Sequence, residues 1–521
     1  MSQVVDADSP TAGVVATAHP DATHAGVAML RAGGNAMDAA VAAAWALGVC
    51  EPSGSGLGGQ TLMMVHRAGQ APVILDGHSY APAGVRRRTV RAADQRRGYR
   101  ATTVPTTPAT LDGALSRFGR LRAAQVMEPA IALAADGYRI TSLQTRQLTW
   151  CTQALGATAA AGRFLQDGRP YRPGTQFRQP ELARCLRRLA DIGVRDFYEG
   201  EIARAIVDDM ARHGGLITLQ DLLGIHSPVP GPAVMAHYAG HRVWTAPPPG
   251  GGIEVLFGLA LMDAMGPVLP IDDPESWYLA LARASYGAFL AREANPITAE
   301  TWSGDTSELL DPGRVEEFAA RVSAADAIPV GVDAEGPGET THVSVMDGEG
   351  MTVLLTQSIQ SLFGAKVAND RYGFLYNNYL TTAPRGVHPY RLRGGGPVRS
   401  NAAPTLVESH DGLAVWGLGA AGSRRIVTSL LHCITGIVDG GLDLVDAVAA
   451  PRVHARLSRR VWVESPSWSP ELEEGLEARG FTVERRPRHS YTMGCVQAVH
   501  RFAGTLHGAA DPRREGTACR A

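Results

Sequence analysis

The chain has 521 residues, with 49 Lys and Arg against 51 Asp and Glu and a formal net charge of −2. That balance gives no bulk attraction to nucleic acid or to an anionic membrane surface. With 45% apolar and only 19% charged residues the chain can bury a large core and is not of the disordered class.

At roughly 150 residues per domain the length allows three or four domains, or one or two large layered ones. The first thirteen residues carry neither a positive cluster nor an apolar stretch, so no secretion signal is expected and the cytoplasm is the expected location. Residues 13–18 read as a short strand. His19, Pro20 and Asp21 break it and open a helix over 25–31 that stops at Gly33-Gly34. Asn35 is a good N-cap for a helix over 36–48, whose alanines allow close packing on a sheet. The apolar run 39–50 is about 12 residues, short of the roughly 20 a membrane span needs. A glycine loop at 51–59 leads to short strands over 61–66 and 73–76, a candidate hairpin. Residues 86–100 are Arg-rich and irregular. Helices are expected over 109–118, 123–136, 180–192 and 197–214, the last stopped by Gly214-Gly215.

TAPPPGGG at 245–252 suits only a rigid loop, and helices follow over 253–264 and 275–293. Residues 323–339 lack periodicity and form the best candidate linker. Beyond it the pattern alternates: 340–346, the turn Asp347-Gly348-Glu349-Gly350 and 351–358 read as a hairpin. Short strands recur at 373–376, 404–407, 413–416, 461–464, 482–485 and 494–500. Helices fit 425–438, 444–449 and 470–478. The first two-thirds are thus helix-rich and the last third strand-rich.

Several motifs are set aside. Gly54-x-Gly56-x-x-Gly59 matches the dinucleotide pattern, but a helix precedes it and a strand follows, the reverse of what a pyrophosphate site needs; a turn under neighbouring backbone is the plainer reading. Lys366 is the only lysine, which confines any P-loop or Schiff-base lysine to that position. The cysteines Cys50, Cys151, Cys185, Cys433, Cys495 and Cys519 are dispersed and form no CxxC pair, so free thiols are expected rather than a zinc site or a disulfide framework. No metal constellation and no GxSxG elbow stands out, and no cofactor is expected. The informative segment is Gly338-Glu339-Thr340-Thr341-His342. Threonine is a good strand former, and a strand start is the plain reading. A threonine that becomes a chain N-terminus, however, carries a hydroxyl and an α-amine of pKa about 7.7–8.0 on one residue. The amine can take the hydroxyl's proton without a histidine.

From His19 onward the chain resembles the gamma-glutamyltransferase (gamma-glutamyltranspeptidase) family of N-terminal-nucleophile hydrolases. The matching segments run in order: AHPDATHAGVAMLRAGGNAMDAAVAAA (18–44), EPSGSGLGG (51–59), FYEGEIARAI (197–206), PPPGGG (247–252), TTHVSVMDGEG (340–350), YNN (376–378), GAAGSRRI (419–426), APRVH (450–454) and GAADPRREG (508–516). The resemblance implies an α+β fold, a four-layer αββα sandwich, made as an inactive chain that cuts itself before the catalytic threonine. Here the cut falls at Glu339-Thr340. It gives a helix-rich large subunit, 1–339, and a strand-rich catalytic small subunit, 340–521, which form a heterodimer able to pair again as a dimer of heterodimers.

It implies further that Thr340 attacks a carbonyl to form an acyl-enzyme, which water hydrolyses or an amine takes over. Ser358 holds the place of the family's second threonine. The oxyanion hole of the family's PGGSR motif maps to the backbone of Gly422 and Ser423. The substrate pocket departs from the family pattern. Tyr379 and Thr382 stand where the transferases hold the glutamyl ammonium with acidic or amide groups. Gln360 replaces an asparagine, and Ser400-Asn401 replaces a Ser-Ser pair. The carboxylate-gripping arginine is expected at Arg87, and the family's Phe-Arg-Glu stretch becomes Gly77-His78-Ser79. The expectation is therefore a self-processing enzyme acting on a small carboxylate-bearing substrate other than a γ-glutamyl donor: an oxamate-type amide, an acylated β-lactam side chain, or a natural-product intermediate, including one cleaved at a C–C bond beside a carbonyl. An ordinary glutathione hydrolase or transpeptidase and an uncleaved, non-catalytic homologue are the alternatives. Neither nucleic acid nor membrane is an expected partner.

Overall fold

A computed structural model describes residues 13–266, 272–323 and 338–521. Most of the linker expected at 323–339 lies outside them. Two antiparallel sheets lie face to face. The first has seven strands in the order Thr517–Arg520, Gly13–Thr17, Gly338–Asp347, Thr352–Ser361, Gln60–His66, Val73–Gly77, Gly231–Pro232; the second has six, Thr505–Ala510, Cys495–Phe502, Ala414–Ala421, Thr405–Glu408, His241–Thr245, Val234–Tyr238. Alternate residues of both sheets meet in a dry middle layer that includes Val14, Leu62, Met346, Leu354, Leu406, Val415 and Val499.

Helices cover both outer faces. On the first sheet lies the helix Ala36–Cys50, every residue of which is buried. Asn35 caps it and Asp38 completes a capping box. Its alanines let the backbone approach so closely that Gln357 Nε2, from the sheet, donates to Ala44 O at 2.9 Å. The helices Gly252–Ala264, Pro274–Ala294 and Arg425–Val438 share an apolar core with the second sheet. The architecture is thus the expected four-layer αββα sandwich. No helix among the described residues is long and apolar enough to cross a membrane.

The central hairpin forms as its pattern predicts. Asp347 closes the turn by accepting from the N–H groups of Glu349 (3.1 Å) and Met351 (2.9 Å). Its second oxygen accepts from Ala36 N at 2.8 Å, so one carboxylate ties the hairpin to the start of the buried helix. Other expectations need correcting. The helix expected over 197–214 is two, Asp196–Glu199 and Glu201–His213, because Asp196 turns its carboxylate onto the N–H groups of Glu201 and Ile202 and starts the helix anew. No strand forms at 373–376; Leu375 and Tyr376 make only isolated bridges, to Ala368 and Gly58. The glycine loop 51–59 is a packing device: a Cβ on Gly58 would lie 2.1 Å from Leu375 O, and one on Gly59 2.4 Å from Ser358 O.

Candidate active site

The chain is continuous through Glu339 and Thr340, which lie in the strand Gly338–Asp347. In the partner strand the pairing shifts register between Gln357 and Gln360, and Gln360 takes φ +82°. This bulge re-aims Ser358 across the strand boundary. Ser358 Oγ donates to the carbonyl of Glu339 at 2.7 Å and accepts from Thr340 Oγ1 at 3.3 Å and from Gln360 N at 2.8 Å. A hydroxyl relay therefore runs from the Thr340 side chain to the carbonyl of the peptide bond that precedes it.

A buried charge cluster, absent from the sequence reading, surrounds that bond. Glu339 accepts from Thr340 N at 3.0 Å, from Arg514 Nη2 and from the Tyr491 hydroxyl. Arg514 Nη1 donates to Glu51 Oε1 and to Thr340 O, both at 2.9 Å. Burial pushes Glu51 up to about 7, against the pull of Arg514 and with a further push from Glu339. Burial likewise raises Glu339, with Arg514 opposing. Two carboxyls thus share one guanidinium, and burial makes Glu51 easier to protonate than an ordinary carboxylate.

Beside Thr340 lies a narrow cavity of about 10 Å³, room for about one water. Of the residues singled out from sequence, Thr340, Ser358, Gln360, Tyr379, Ser400, Asn401 and Ser423 line it; Gln60, Leu62, Thr356, Ala402 and Ile426 complete the wall. Among the described residues, none that lines it is charged. The Tyr379 phenol is on the wall, with the side chains of Ser358, Gln60 and Ser400 within hydrogen-bond reach; burial outweighs those bonds and raises it to about 12, so it is neutral. Gln60 is held in turn by Ser79, whose N–H (2.9 Å) and hydroxyl (2.6 Å) both donate to its side-chain oxygen.

Gly422 and Ser423 follow the strand Ala414–Ala421 and precede the helix Arg425–Val438, whose N-cap residue Arg424 makes no capping bond with its side chain and turns it to Glu293 instead. Gly422 has φ +120° and Ser423 φ +60°. The left-handed conformation costs a serine about 1–2 kcal/mol, a local strain of the kind found where a backbone N–H must point into a site. Ser423 packs against Gly338, where an added Cβ would lie 2.7 Å from the serine Cβ.

Two expected residues stand elsewhere. Arg87 is exposed and lines no part of this cavity; its carbonyl accepts from Arg385 Nη2 at 2.9 Å. The loop turns Val85 and Val90 inward against Leu380 and Leu392, which leaves the three consecutive arginines facing solvent. Thr382 is not a lining residue either; its hydroxyl donates to Tyr379 O at 2.9 Å and closes the short turn Tyr379–Thr382. Positive charge approaches from the other side. Arg292 donates to Asn401 Oδ1 at 2.6 Å and to Ser400 O at 3.0 Å while pairing with Glu254 at 3.1 Å, and Arg399 and Arg424 share Glu293 at 2.9 and 3.3 Å. Glu51, Gln60, Arg292, Tyr491 and Arg514 are additions to the sequence-based set. Glu51 and Arg514 sit in the quoted segments EPSGSGLGG and GAADPRREG, where Glu51 is the one charge of its segment and Arg514 is one of four in its own.

Comparison with known proteins follows the same lines. A family model described as gamma-glutamyltranspeptidase matches residues 22–521. An acylase ACY 1 proenzyme of Pseudomonas sp. (strain V22) is 32% identical over 97% of this chain and 93% of its own. A glutathione hydrolase proenzyme of Escherichia coli (strain K12) is 29% identical over 96% and 90%. The crystal structure of a cephalosporin acylase from Bacillus halodurans superposes with a TM-score of 0.87 at 25% identity, covering 100% of this chain and 96% of that one.

Proposed function

The chain belongs to the gamma-glutamyltranspeptidase family of amide hydrolases and acyltransferases, and from that premise we propose that it is a proenzyme that cuts itself at Glu339-Thr340 and then uses Thr340 as an N-terminal nucleophile. The observation that carries this is the relay Thr340 Oγ1–Ser358 Oγ–Glu339 O. In the uncut chain Thr340 Oγ attacks the Glu339 carbonyl carbon. Its proton passes to Ser358, whose own proton neutralises the developing oxyanion. Collapse breaks the C–N bond, passes the proton to the Thr340 nitrogen and so frees its amine, and leaves an ester on Thr340 Oγ, which water hydrolyses to the Glu339 α-carboxylate and the Thr340 hydroxyl. In the cut enzyme that amine takes the hydroxyl proton when Thr340 attacks substrate. The N–H groups of Gly422 and Ser423 receive the oxyanion, and water releases the acyl group. Glu339, Arg514 and Tyr491 hold the strand end in place for the first reaction.

For the substrate, the uncharged wall supports one reading. An α-ammonium entering beside Tyr379 would lose its water for a phenol and amides, without a carboxylate to balance it. We therefore assign a small acyl donor that presents a carboxylate and no ammonium, its anion facing the Ser400-Asn401 edge that Arg292 backs. Two relatives named as acylases agree with an acyl amide as the bond broken. Glutaryl-p-nitroanilide and γ-glutamyl-p-nitroanilide differ only by the ammonium and test the assignment. The processed enzyme is expected to favour the glutaryl compound at least tenfold in kcat/KM. A tenfold preference for the γ-glutamyl compound would establish an ordinary glutathione hydrolase instead.

A further inference from the structure

A second cavity, of about 910 Å³, lies at the other end of the sandwich. Trp416, on its wall, lies near the start of the strand Ala414–Ala421, whose far end leads into Gly422 and Ser423, on the order of 20 Å away at a strand's rise. The cavity opens where both sheets end, at the edge strands Thr517–Arg520 and Thr505–Ala510, under the helix Pro20–Arg31 and the turn before the helix Leu444–Ala449. Its volume falls in the range of small-molecule sites.

Two features of the wall point to one kind of ligand. Strand register places Trp416 opposite His500 and His500 opposite His507. The three rings form a row: Trp416 and His500 stack at 4.8 Å with planes 3° apart, and His507 follows at 5.9 Å. Burial holds His500 down to about 4 and lowers His507 as well, with Arg520 adding to the second shift, so both rings are neutral near pH 7. The fixed charge comes from Arg31 and Arg520, neither of which forms an ion pair among the described residues. Arg520 spends Nη2 on Leu506 O, and its Nη1 is buried with no partner among the described residues. Among the described residues the one carboxylate on the wall is Asp443, which also caps a helix by accepting from Asp446 N at 2.9 Å. An aromatic wall with two arginines against one carboxylate fits a flat apolar body carrying an anion.

We propose that this cavity is a second ligand site, separate from Thr340, for a small planar aromatic carboxylate. The ring lies along the Trp416–His500–His507 row and the carboxylate neutralises Arg520 and Arg31. Calorimetric titration of the processed enzyme with 1-naphthoate and with its neutral isostere 1-naphthamide is the test. Naphthoate is expected to bind one to one and at least tenfold more tightly than the amide. Arg520→Gln and Trp416→Leu are each expected to weaken it tenfold or more, with turnover at Thr340 unchanged. Arg31→Gln, at the exposed end of a helix, reports even if the strand variant fails to fold; it is expected to cut the acid-over-amide preference at least threefold. Thr340→Ala is expected to leave the affinity as it is. Equal binding of acid and amide, an affinity insensitive to Arg31→Gln and Trp416→Leu, loss of binding in Thr340→Ala, or an oligomer that Trp416→Leu dissociates while naphthoate does not bind would each overturn the proposal.

Discussion

At the scale of single residues, the site depends on where one hydroxyl points. Ser358 donates to the Glu339 carbonyl and accepts from Thr340. Removing it takes away a hydrogen bond that strengthens as charge develops, about 1–3 kcal/mol. Ser358→Ala is therefore expected to slow self-cleavage about 10- to 100-fold, read as the time course of precursor loss on a denaturing gel; an unchanged rate would remove Ser358 from the relay. His342, two residues after the nucleophile, sets the acid limit of the strand. Its nitrogens meet Thr356 Oγ1 at 2.8 Å and Ser344 Oγ at 3.1 Å, and burial lowers its pKa to about 3. The unfolded chain, with a histidine near 6.5, then binds the proton the folded chain refuses, so stability falls as the pH drops from about 6.5 towards 3. Between pH 6.5 and 5 the loss is about 2 kcal/mol. His342→Gln is expected to flatten that slope in melting scans; an identical slope would place the acid sensitivity elsewhere. The sequence made Thr340 legible because a strand signal and the family segment coincide there. Glu51 and Arg514 were not legible as a pair, since 463 positions separate them and only the fold brings them to 2.9 Å. Arg87 was misplaced because three consecutive arginines look alike until Val85 and Val90 choose the inside.

At the scale of elements, local signals did well where capping and periodicity agree. Asn35 and the 347–350 turn are examples, each closed by side chains a few positions away. The helix Ser142–Gly156 is not marked by its period although Thr141 and Gln144 form a capping box at its start, because its buried face includes Gln144 and Gln147 and its exposed face carries Trp150. The strands Val234–Tyr238 and His241–Thr245 were missed for a different reason: their half-buried residues gain meaning only beside Thr405–Glu408. The bulge that aims Ser358 has no sequence mark at all, since Gln360 is not a residue that favours φ +82°. The glycine loop 51–59 supplies a prediction at this scale. Gly58→Ala would drive a Cβ to 2.1 Å from Leu375 O and is expected to cost about 3 kcal/mol or more, whereas a Cβ on Gly162 meets nothing within 4 Å and Gly162→Ala is expected to stay within about 0.5 kcal/mol. Denaturant midpoints of the two variants check this, and equal midpoints would contradict the close-packing role of the loop.

At the scale of the whole molecule, the proposed cut would fall inside a sheet rather than between two bodies. The strand Gly338–Asp347 pairs with Gly13–Thr17 on one side, Thr352–Ser361 pairs with Gln60–His66, and the second sheet joins Thr405–Glu408 to His241–Thr245. Both sheets and the layer between them are thus built from the two sides of Glu339-Thr340, so the fragments share one core. They are expected to elute together in native size exclusion and to separate only in denaturant; separation under native conditions would contradict the shared core. The layered class was legible from the order of segments because the family resemblance runs nearly end to end. The assignment of strands to one sheet or the other was not, because it depends on pairings between segments hundreds of residues apart.

The most direct test of the central claim is intact-mass spectrometry of active enzyme beside its Thr340→Ala variant. The account predicts two polypeptides of about 36 and 19 kDa from the 55.1 kDa chain, the smaller beginning at Thr340, and a single uncut inactive chain for the variant. Full activity in material with no fragment that begins at Thr340, or cleavage at that bond in Thr340→Ala, would contradict it.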